Sequence, residues 1–355
     1  MKSDTKYKPY FISSEKDLAE YKRAFEKNGS PKKLSKLIWM HLKNPLKEPL
    51  VSMIKDSNGA NNSVAAIYAV MPVFFKINGR IEKACQSLDT LTDVEYRGKG
   101  LFVNNAKTVY QKAKEKEMAL VYGFPNGKSV HGFVKKLGWK LLDPVPFLYK
   151  PLRTGYFLKK IVGNRLGNVL DISLVRKKKT NLPDNVSIKN IETFSDDATE
   201  LWSKFSSAFS VSIHRDASYL NWRFKKKPEE QYIIKGYYEN ELLKGFVVYT
   251  FKQKHGGNIC YIMELIFDIE TPSVGKELIK YATNQCVVQK TDVMLSWCFS
   301  FSPNFDSYKS NGFYILPEKL KPIELHFGYT HLAHDEDILK NRENWYVSYA
   351  DSDTV

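Results

Sequence analysis

Residues 85–102 read Cys85-Gln86-Ser87-Leu88-Asp89-Thr90-Leu91-Thr92-Asp93-Val94-Glu95-Tyr96-Arg97-Gly98-Lys99-Gly100-Leu101-Phe102. The stretch opens as a strand and closes as the first turn of a helix. Between the two lies a short basic loop, Arg97-Gly98-Lys99-Gly100. Glycine supplies positive φ and lets backbone approach a ligand closely. Amides converging at a helix N-terminus, with the helix dipole behind them, form an anion site. Successive N–H groups in a turn can cradle a pyrophosphate in the same way. The helix that follows has a partial apolar stripe of Leu101, Val109 and Ala113. Lys112, Lys114 and Lys116 lie towards its end, where cations suit the dipole. Taken alone, the four loop residues serve equally well as a tight turn with no ligand.

Working outward, residues 118–124 form an apolar run that reads as a buried strand. Pro125-Asn126 then opens a helix through Lys136, and Leu137-Gly138-Trp139-Lys140 ends it and starts another strand. Upstream, residues 1–13 read as an irregular lead-in. Ser14 caps a helix with Leu18, Tyr21, Ala24 and Phe25 inward, and Pro31 opens a second with Leu34, Leu37, Ile38 and His41. Strands are expected at 50–55, 64–70 and 73–77, with turns at Asn58-Gly59, Asn61-Asn62 and Asn78-Gly79. The order strand, R-G-x-G, helix, strand, Asn, helix, K-x-G-aromatic resembles the GNAT superfamily of acyl-CoA-dependent N-acyltransferases. The blocks Asp89 to Thr92, Tyr96 to Phe102 and Gly123 to Asn126 carry that resemblance across roughly residues 15–150.

The resemblance implies a division of labour. Backbone groups of Leu91, Thr92, Asp93 and Val94 would pair with the pantetheine arm of acetyl-CoA. Amides of Arg97, Gly98, Lys99, Gly100, Leu101 and Phe102 would hold its pyrophosphate. Asn126 would lie beside the pantetheine. Asp89, on the central strand, is the candidate general base, or else a hydrogen-bonded strand carboxylate. Two departures stand out: Glu95 replaces the usual Gln or Arg, and the usual leaving-group tyrosine aligns with Val134. Tyr96, Tyr122 or water would replace that acid, or the thiolate would leave unassisted.

The chain has 355 residues, natural for two domains. We expect an α/β (α+β) protein of two tandem GNAT-like domains, each a mixed, mostly antiparallel sheet flanked by helices. The boundaries expected are 1–152, a basic linker at 153–184, and 185–355. The second half repeats the element order: a strand at 186–191, helices at 195–205 and 215–224, strands at 232–238, 242–251 and 260–267, and a helix through Val287. Its Glu270-Thr271-Pro272-Ser273-Val274-Gly275 stands where the basic loop would be. It has no arginine, and Pro272 removes an amide donor, so it is a degenerate cradle. Residues 344–353 alternate like a terminal strand. Their Asp351 and Asp353 either form a solvated acidic end or bind a cationic acceptor.

The net charge of +15 favours anionic partners. Neither basic run, 176–179 or 225–227, carries the interleaved aromatics of a nucleic-acid site, so no nucleic acid is expected. No apolar run is long enough to span a membrane, and no metal-ligand spacing occurs. Four unpaired cysteines and the absence of a secretory signal suggest a cytoplasmic protein. No feature sets an oligomeric state. The function expected is N-acetyl transfer from acetyl-CoA to a small-molecule primary amine, such as that of an amino sugar. The rivals are a Fem-like aminoacyl-tRNA-dependent transferase and a non-catalytic acyl-CoA-binding module.

Overall fold

The computed structural model describes residues 6–57, 63–179, 182–321, 324–333 and 337–352. The first half runs β1 (Tyr7–Phe11), α1 (Glu15–Lys27), α2 (Leu34–His41), β2 (Leu50–Asp56), β3 (Val64–Ile77), β4 (Arg80–Thr92), α3 (Leu101–Glu115), β5 (Leu120–Gly123), α4 (Val130–Leu137), β6 (Lys140–Leu142) and β7 (Phe147–Pro151). Next come α5 (Gly155–Val169), β8 (Val186–Asn190), α6 (Asp196–Ser206), β9 (Val211–Ile213) and α7 (Ala217–Leu220), continued by a π-helical turn, Asn221–Lys225. The chain closes with β10 (Ile233–Glu239), β11 (Leu242–Lys254), β12 (Gly257–Phe267), α8 (Ser273–Val288), β13 (Val293–Trp297), α9 (Phe305–Ser310), β14 (Tyr314–Ile315) and β15 (Phe327–His331).

These elements form two mixed sheets flanked by helices, the tandem GNAT-like arrangement expected. The first has the order β1-β2-β3-β4-β5-β15-β6, with β9 beside β3. The second has the order β14-β7-β13-β12-β11-β10-β8. Neither sheet is built from one half of the chain alone. Strand β7 enters the second sheet between β14 and β13, and β15 returns to the first between β5 and β6. The core is shared too. Trp345 packs against Phe75 and Tyr122 from the first half and Phe327 of β15, with ring centroids 5.9, 6.3 and 5.1 Å away.

Local chemistry accounts for the elements. Ser14 and Asp17 form a reciprocal capping box at the start of α1, and Leu18, Tyr21, Ala24 and Phe25 are its buried face. Strand β3 runs on through Pro72 and joins the strands expected at 64–70 and 73–77. Its pairing with β2 ends at Val70 and its pairing with β9 starts at Phe75, so no neighbour on that edge needs the missing N–H.

Several expectations change. The lead-in contains β1, paired with β2. The helix after β5 starts at Val130, because the Asn126 side chain accepts from the amides of Lys128 and Ser129 and holds a turn there. The segment taken as a linker contains α5, broken at Gly163 with φ 81°. The helix expected at 215–224 splits into α7 and the π-helical turn. The C-terminal segment is no strand. It forms two 3-10 turns, Arg342–Asn344 and Tyr349–Asp351, the second closed by a Ser348–Asp351 capping box. The turn at 58–62 and Asp353 lie outside the described residues.

Candidate active site

The site begins with a fault in a ladder. Along β3–β4, Tyr68 pairs with Thr90 and Val70 with Ser87. Two steps on β3 therefore face three on β4, which is a β-bulge at Leu88–Asp89. A bulge leaves its extra residue unpaired and bends the strand. On its other edge, β4 pairs in parallel with β5 over Cys85–Ser87 and Val121–Gly123, and no further. The two strands part where the bulge sits. The opening is a cleft with ≈ 340 Å³ of empty space, lined by Ser87, Leu88 and Thr90 on one side and by Phe124, Asn126, Phe133 and Trp139 on the other. Backbone groups on the abandoned edge of β4 are available to an extended ligand.

At the far end of β4 the basic loop stays open. Gly98 and Gly100 adopt left-handed backbone, φ 79° and 72°, and a Cβ built on either meets nothing within 4 Å. Gly100 is the N-cap of α3, and no side chain caps that helix. Arg97, Gly98, Lys99 and Gly100 are all exposed. An uncapped helix N-terminus behind an open glycine turn fits the pyrophosphate of an acyl-CoA.

A second cavity lies between the halves, narrow inside, with ≈ 330 Å³ of empty space only when the open solvent at its mouth is included. Met40, Met71, Gln86 and Leu88 line it from the first half, and Tyr219, Arg223, Lys227 and Asp351 from the second. Leu88 lines both cavities, so the two lie on either side of one residue of the bulge. Trp39 and Trp222 wall the cavity as a stacked pair, centroids 4.3 Å apart. Each indole donates to the other's carbonyl oxygen, at 2.9 and 3.1 Å. Lys227 is buried here, and burial, aided by Arg223 and Lys36, pulls its ammonium pKa down to about 6.

The cavity's second wall is pinned by buried charge. Arg215 donates to Glu264 at 2.7 Å and to both Asp351 oxygens at 2.9 and 2.8 Å. Burial pushes the Asp351 carboxyl up, against the pull of Arg215. Arg223 holds the carbonyls of Ala350 and Ser352 at 2.9 and 3.0 Å. The Gln86 amide donates to the Asp351 carbonyl, which ties this C-terminal segment to β4.

Residues 15–142 match the acetyltransferase (GNAT) domain family. The match sets a GNAT domain at residues 15–142 and leaves the rest of the chain outside it. A search among curated proteins finds no significant match. Among solved structures, two of Saccharomyces cerevisiae N-myristoyltransferase resemble the chain, one with myristoyl-CoA and inhibitors bound and one with myristoyl-CoA. Each has a TM-score of 0.61 and 12% identity. They cover 93% of this chain and 80% and 83% of their own. At that identity the likeness is one of fold, and it extends through both halves.

Within the GNAT domain, the sequence-predicted residues separate. Thr92 and Leu91 pair with Ala66 and Ile67 of β3. Val94 is exposed. Asp93 is buried, bonded to Lys27 at 2.9 Å and capping the Glu95 amide at 3.0 Å, so its carboxylate is structural. Phe102 packs edge-on to Tyr68 and Phe133, beneath the cleft. Asp89 accepts from Tyr21 at 2.7 Å and from Lys32 at 2.6 Å, so both of its oxygens are engaged. Tyr96 turns the other way. Its hydroxyl lies 2.9 Å from Ser63, its ring fills a cluster with Ile54, Ala65, Ala66 and Leu101, and it lines neither cavity. Asp351 does line the inter-half cavity, but its carboxylate faces Arg215.

Sequence reasoning missed a chain of hydroxyls. Trp139 Nε1 donates to the Tyr110 hydroxyl at 2.8 Å. That hydroxyl lies 3.0 Å from Tyr68, which lies 3.1 Å from the Ser87 hydroxyl at the cleft. Burial drives the phenol pKa values of Tyr68 and Tyr110 upward and keeps both protonated. The four residues stand far apart in sequence, and no motif joins them.

Proposed function

We propose that the protein transfers an acetyl group from acetyl-CoA to a primary amine, by direct attack in a ternary complex. The observation that carries this reading is Leu88, the bulge residue that lines both the cleft of the GNAT domain and the inter-half cavity. Acyl-CoA would lie along β4 with its pyrophosphate on the amides from Arg97 to Phe102. The acceptor amine would approach from the cavity beneath Trp39 and Trp222. Side-by-side binding supplies a large part of the rate through orientation. Backbone N–H groups at the bulge would polarise the thioester carbonyl as charge develops on its oxygen. Aromatic walls, Phe124, Phe133 and Trp139, support a short acyl group over a long one.

Proton movement has two candidate routes. Ser87, backed by Tyr68 and Tyr110, stands where a leaving thiolate needs a proton. Asp89 was the base expected from sequence, but its carboxylate is already neutralised by Lys32. Lys227, with a pKa near 6, is largely neutral at pH 7 and is the better acceptor of the amine's proton. The cavity's cations, Lys36 and Arg223, favour an acceptor that also carries an anionic group, such as a nucleotide-linked amino sugar. The test is free-thiol release from acetyl-CoA and from myristoyl-CoA, with amino sugar nucleotides, free amino sugars and spermidine as acceptors. Release with acetyl-CoA and an amino sugar nucleotide supports the reading. Turnover only with spermidine removes the acceptor assignment, and turnover only with myristoyl-CoA removes the donor assignment.

A further inference from the structure

Between β7 and β8 the chain makes an excursion that is clamped at its base and apolar at its surface. Arg153 Nη2 and Nε grip Asp171 at 2.7 and 3.0 Å, and Asp171 also accepts from the Gly155 amide at 3.0 Å. Thr154 exchanges hydrogen bonds with Leu170 and Ile172, and the Leu174 amide donates to Leu152 at 2.8 Å. A base held this firmly positions what projects from it. What projects is apolar: Val169 is 82% exposed, Ile161 78% and Ile172 66%, and Leu166, Leu170 and Leu174 are exposed beside them. Single exposed apolar residues are ordinary, but six within fourteen residues are an interaction surface.

The surface continues onto the second sheet. Phe157 of α5 lines an open apolar cavity with Tyr149, Val293, Leu295 and Leu320, with ≈ 1090 Å³ of empty space that includes open solvent. Leu320, Tyr314 and Ile315 are exposed near it. None of the residues lining this cavity lines the other two.

Charge selects the partner. Residues 153–179 contain eight cations, among them Lys159, Arg165 and the run Arg176-Lys177-Lys178-Lys179, and one carboxylate, Asp171, which Arg153 neutralises. The basic run is also held in place. Asn284 of α8 accepts from the Lys178 amide at 2.9 Å and donates to its carbonyl at 2.8 Å. Apolar side chains projecting beside fixed cations match the interface of an anionic bilayer, with acyl chains below and phosphates above. No helix among the described residues is long and apolar enough to cross a membrane.

We propose that residues 155–179 seat the protein on an anionic lipid surface. Ile161, Leu166, Val169 and Leu170 enter the boundary of the acyl chains, and Lys159, Arg165 and Arg176 to Lys179 meet the headgroup phosphates. The inference does not depend on acyl transfer. The experiment is co-sedimentation of the full chain with vesicles of phosphatidylcholine alone and with phosphatidylglycerol added, at low and high salt. Partitioning onto the phosphatidylglycerol vesicles should be at least tenfold higher and should fall with salt. The paired substitution Ile161→Asp with Val169→Asp should reduce it at least tenfold, with circular dichroism and thermal melting unchanged. A second pair, Lys177→Glu with Lys178→Glu, should reduce it comparably while leaving the apolar side chains intact. Absence of binding to the anionic vesicles overturns the proposal. So does binding that survives both pairs, which would be general adsorption of a basic protein. A dimer in light scattering that Ile161→Asp with Val169→Asp dissolves, without vesicle binding, would give the surface to a second copy instead.

Discussion

The two central strands, β4 and β12, share one design and end differently. Each carries a bulge against its antiparallel neighbour. On β12, Val248 pairs with Glu264 and Tyr249 with Ile262, so one extra residue sits at Met263. Each also pairs in parallel with the following strand over three residues only. In the first half the opening stays a cleft. In the second half it is filled from within: Asn304 Nδ2 donates to the Leu265 carbonyl, the Ser296 hydroxyl to the Ile262 carbonyl, and Glu264 is taken by Arg215, Tyr346 and Ser348. The helix starts differ in the same sense. Gly98 and Gly100 are left-handed and open, whereas a Cβ on Gly275 would meet Ser307 Oγ at 2.4 Å and Phe267 at 2.5 Å. Pro272, which has no N–H to offer, stands at the N-cap of α8, and the Glu270 and Thr271 amides are bound to Asp268. One scaffold thus leaves an open cleft in one copy and is filled by side chains in the other.

The comparison can be tested from its strongest element downward. Arg215→Met should be the most damaging change, because it leaves Glu264 and Asp351 buried without their cation. We expect a loss of about 3–5 kcal/mol in urea unfolding; a loss below 1 kcal/mol would mean that the filled half is not held by this network. Next, Gly98→Asp puts a side chain and a negative charge into the open turn. Acetyl-CoA affinity should fall by about 2–3 kcal/mol, roughly a hundredfold, whereas Ser273→Asp at the matching helix start should leave it unchanged in calorimetry.

Lys227 gives a smaller effect with a definite sign. Its pKa is lowered from 10.5 to about 6 on folding, so between those values the unfolded chain binds more protons than the folded one. Stability from this group therefore rises with pH across that window. Lys227→Met should flatten the rise and add about 1–3 kcal/mol at pH 7, while abolishing the increase of kcat through pH 6. A variant with unchanged kcat would release Lys227 from any role as base. The smallest effect belongs to Tyr68→Phe, which cuts the hydroxyl chain behind Ser87. The loss of about 1 kcal/mol should lower kcat roughly fivefold and leave the KM for acetyl-CoA unaltered.

Local features were legible in the sequence and long-range ones were not. The glycine turn, the strand before it and the helix after it come from adjacent residues, so Arg97 to Gly100 could be placed without a structure. The degenerate turn at Pro272 was readable for the same reason. Strand exchange was not. Phe327 to His331 carry no signal that they belong to the first sheet, because a strand's pattern specifies its faces and not its neighbours. The pairing of Asp89 with Lys32 joins residues 57 positions apart, and the Trp139–Tyr110–Tyr68–Ser87 chain depends on three elements meeting. The alternation read from Trp345 to Tyr349 does not mark one inward face, since all five residues are buried. They belong to a segment pinned by arginines rather than a ladder.

The central claim is that one half holds acyl-CoA and the other cannot. Isothermal calorimetry of the full chain with acetyl-CoA tests it most directly. The account predicts one site per chain, lost in Gly98→Asp. Two sites per chain, or one site that survives Gly98→Asp, would contradict it.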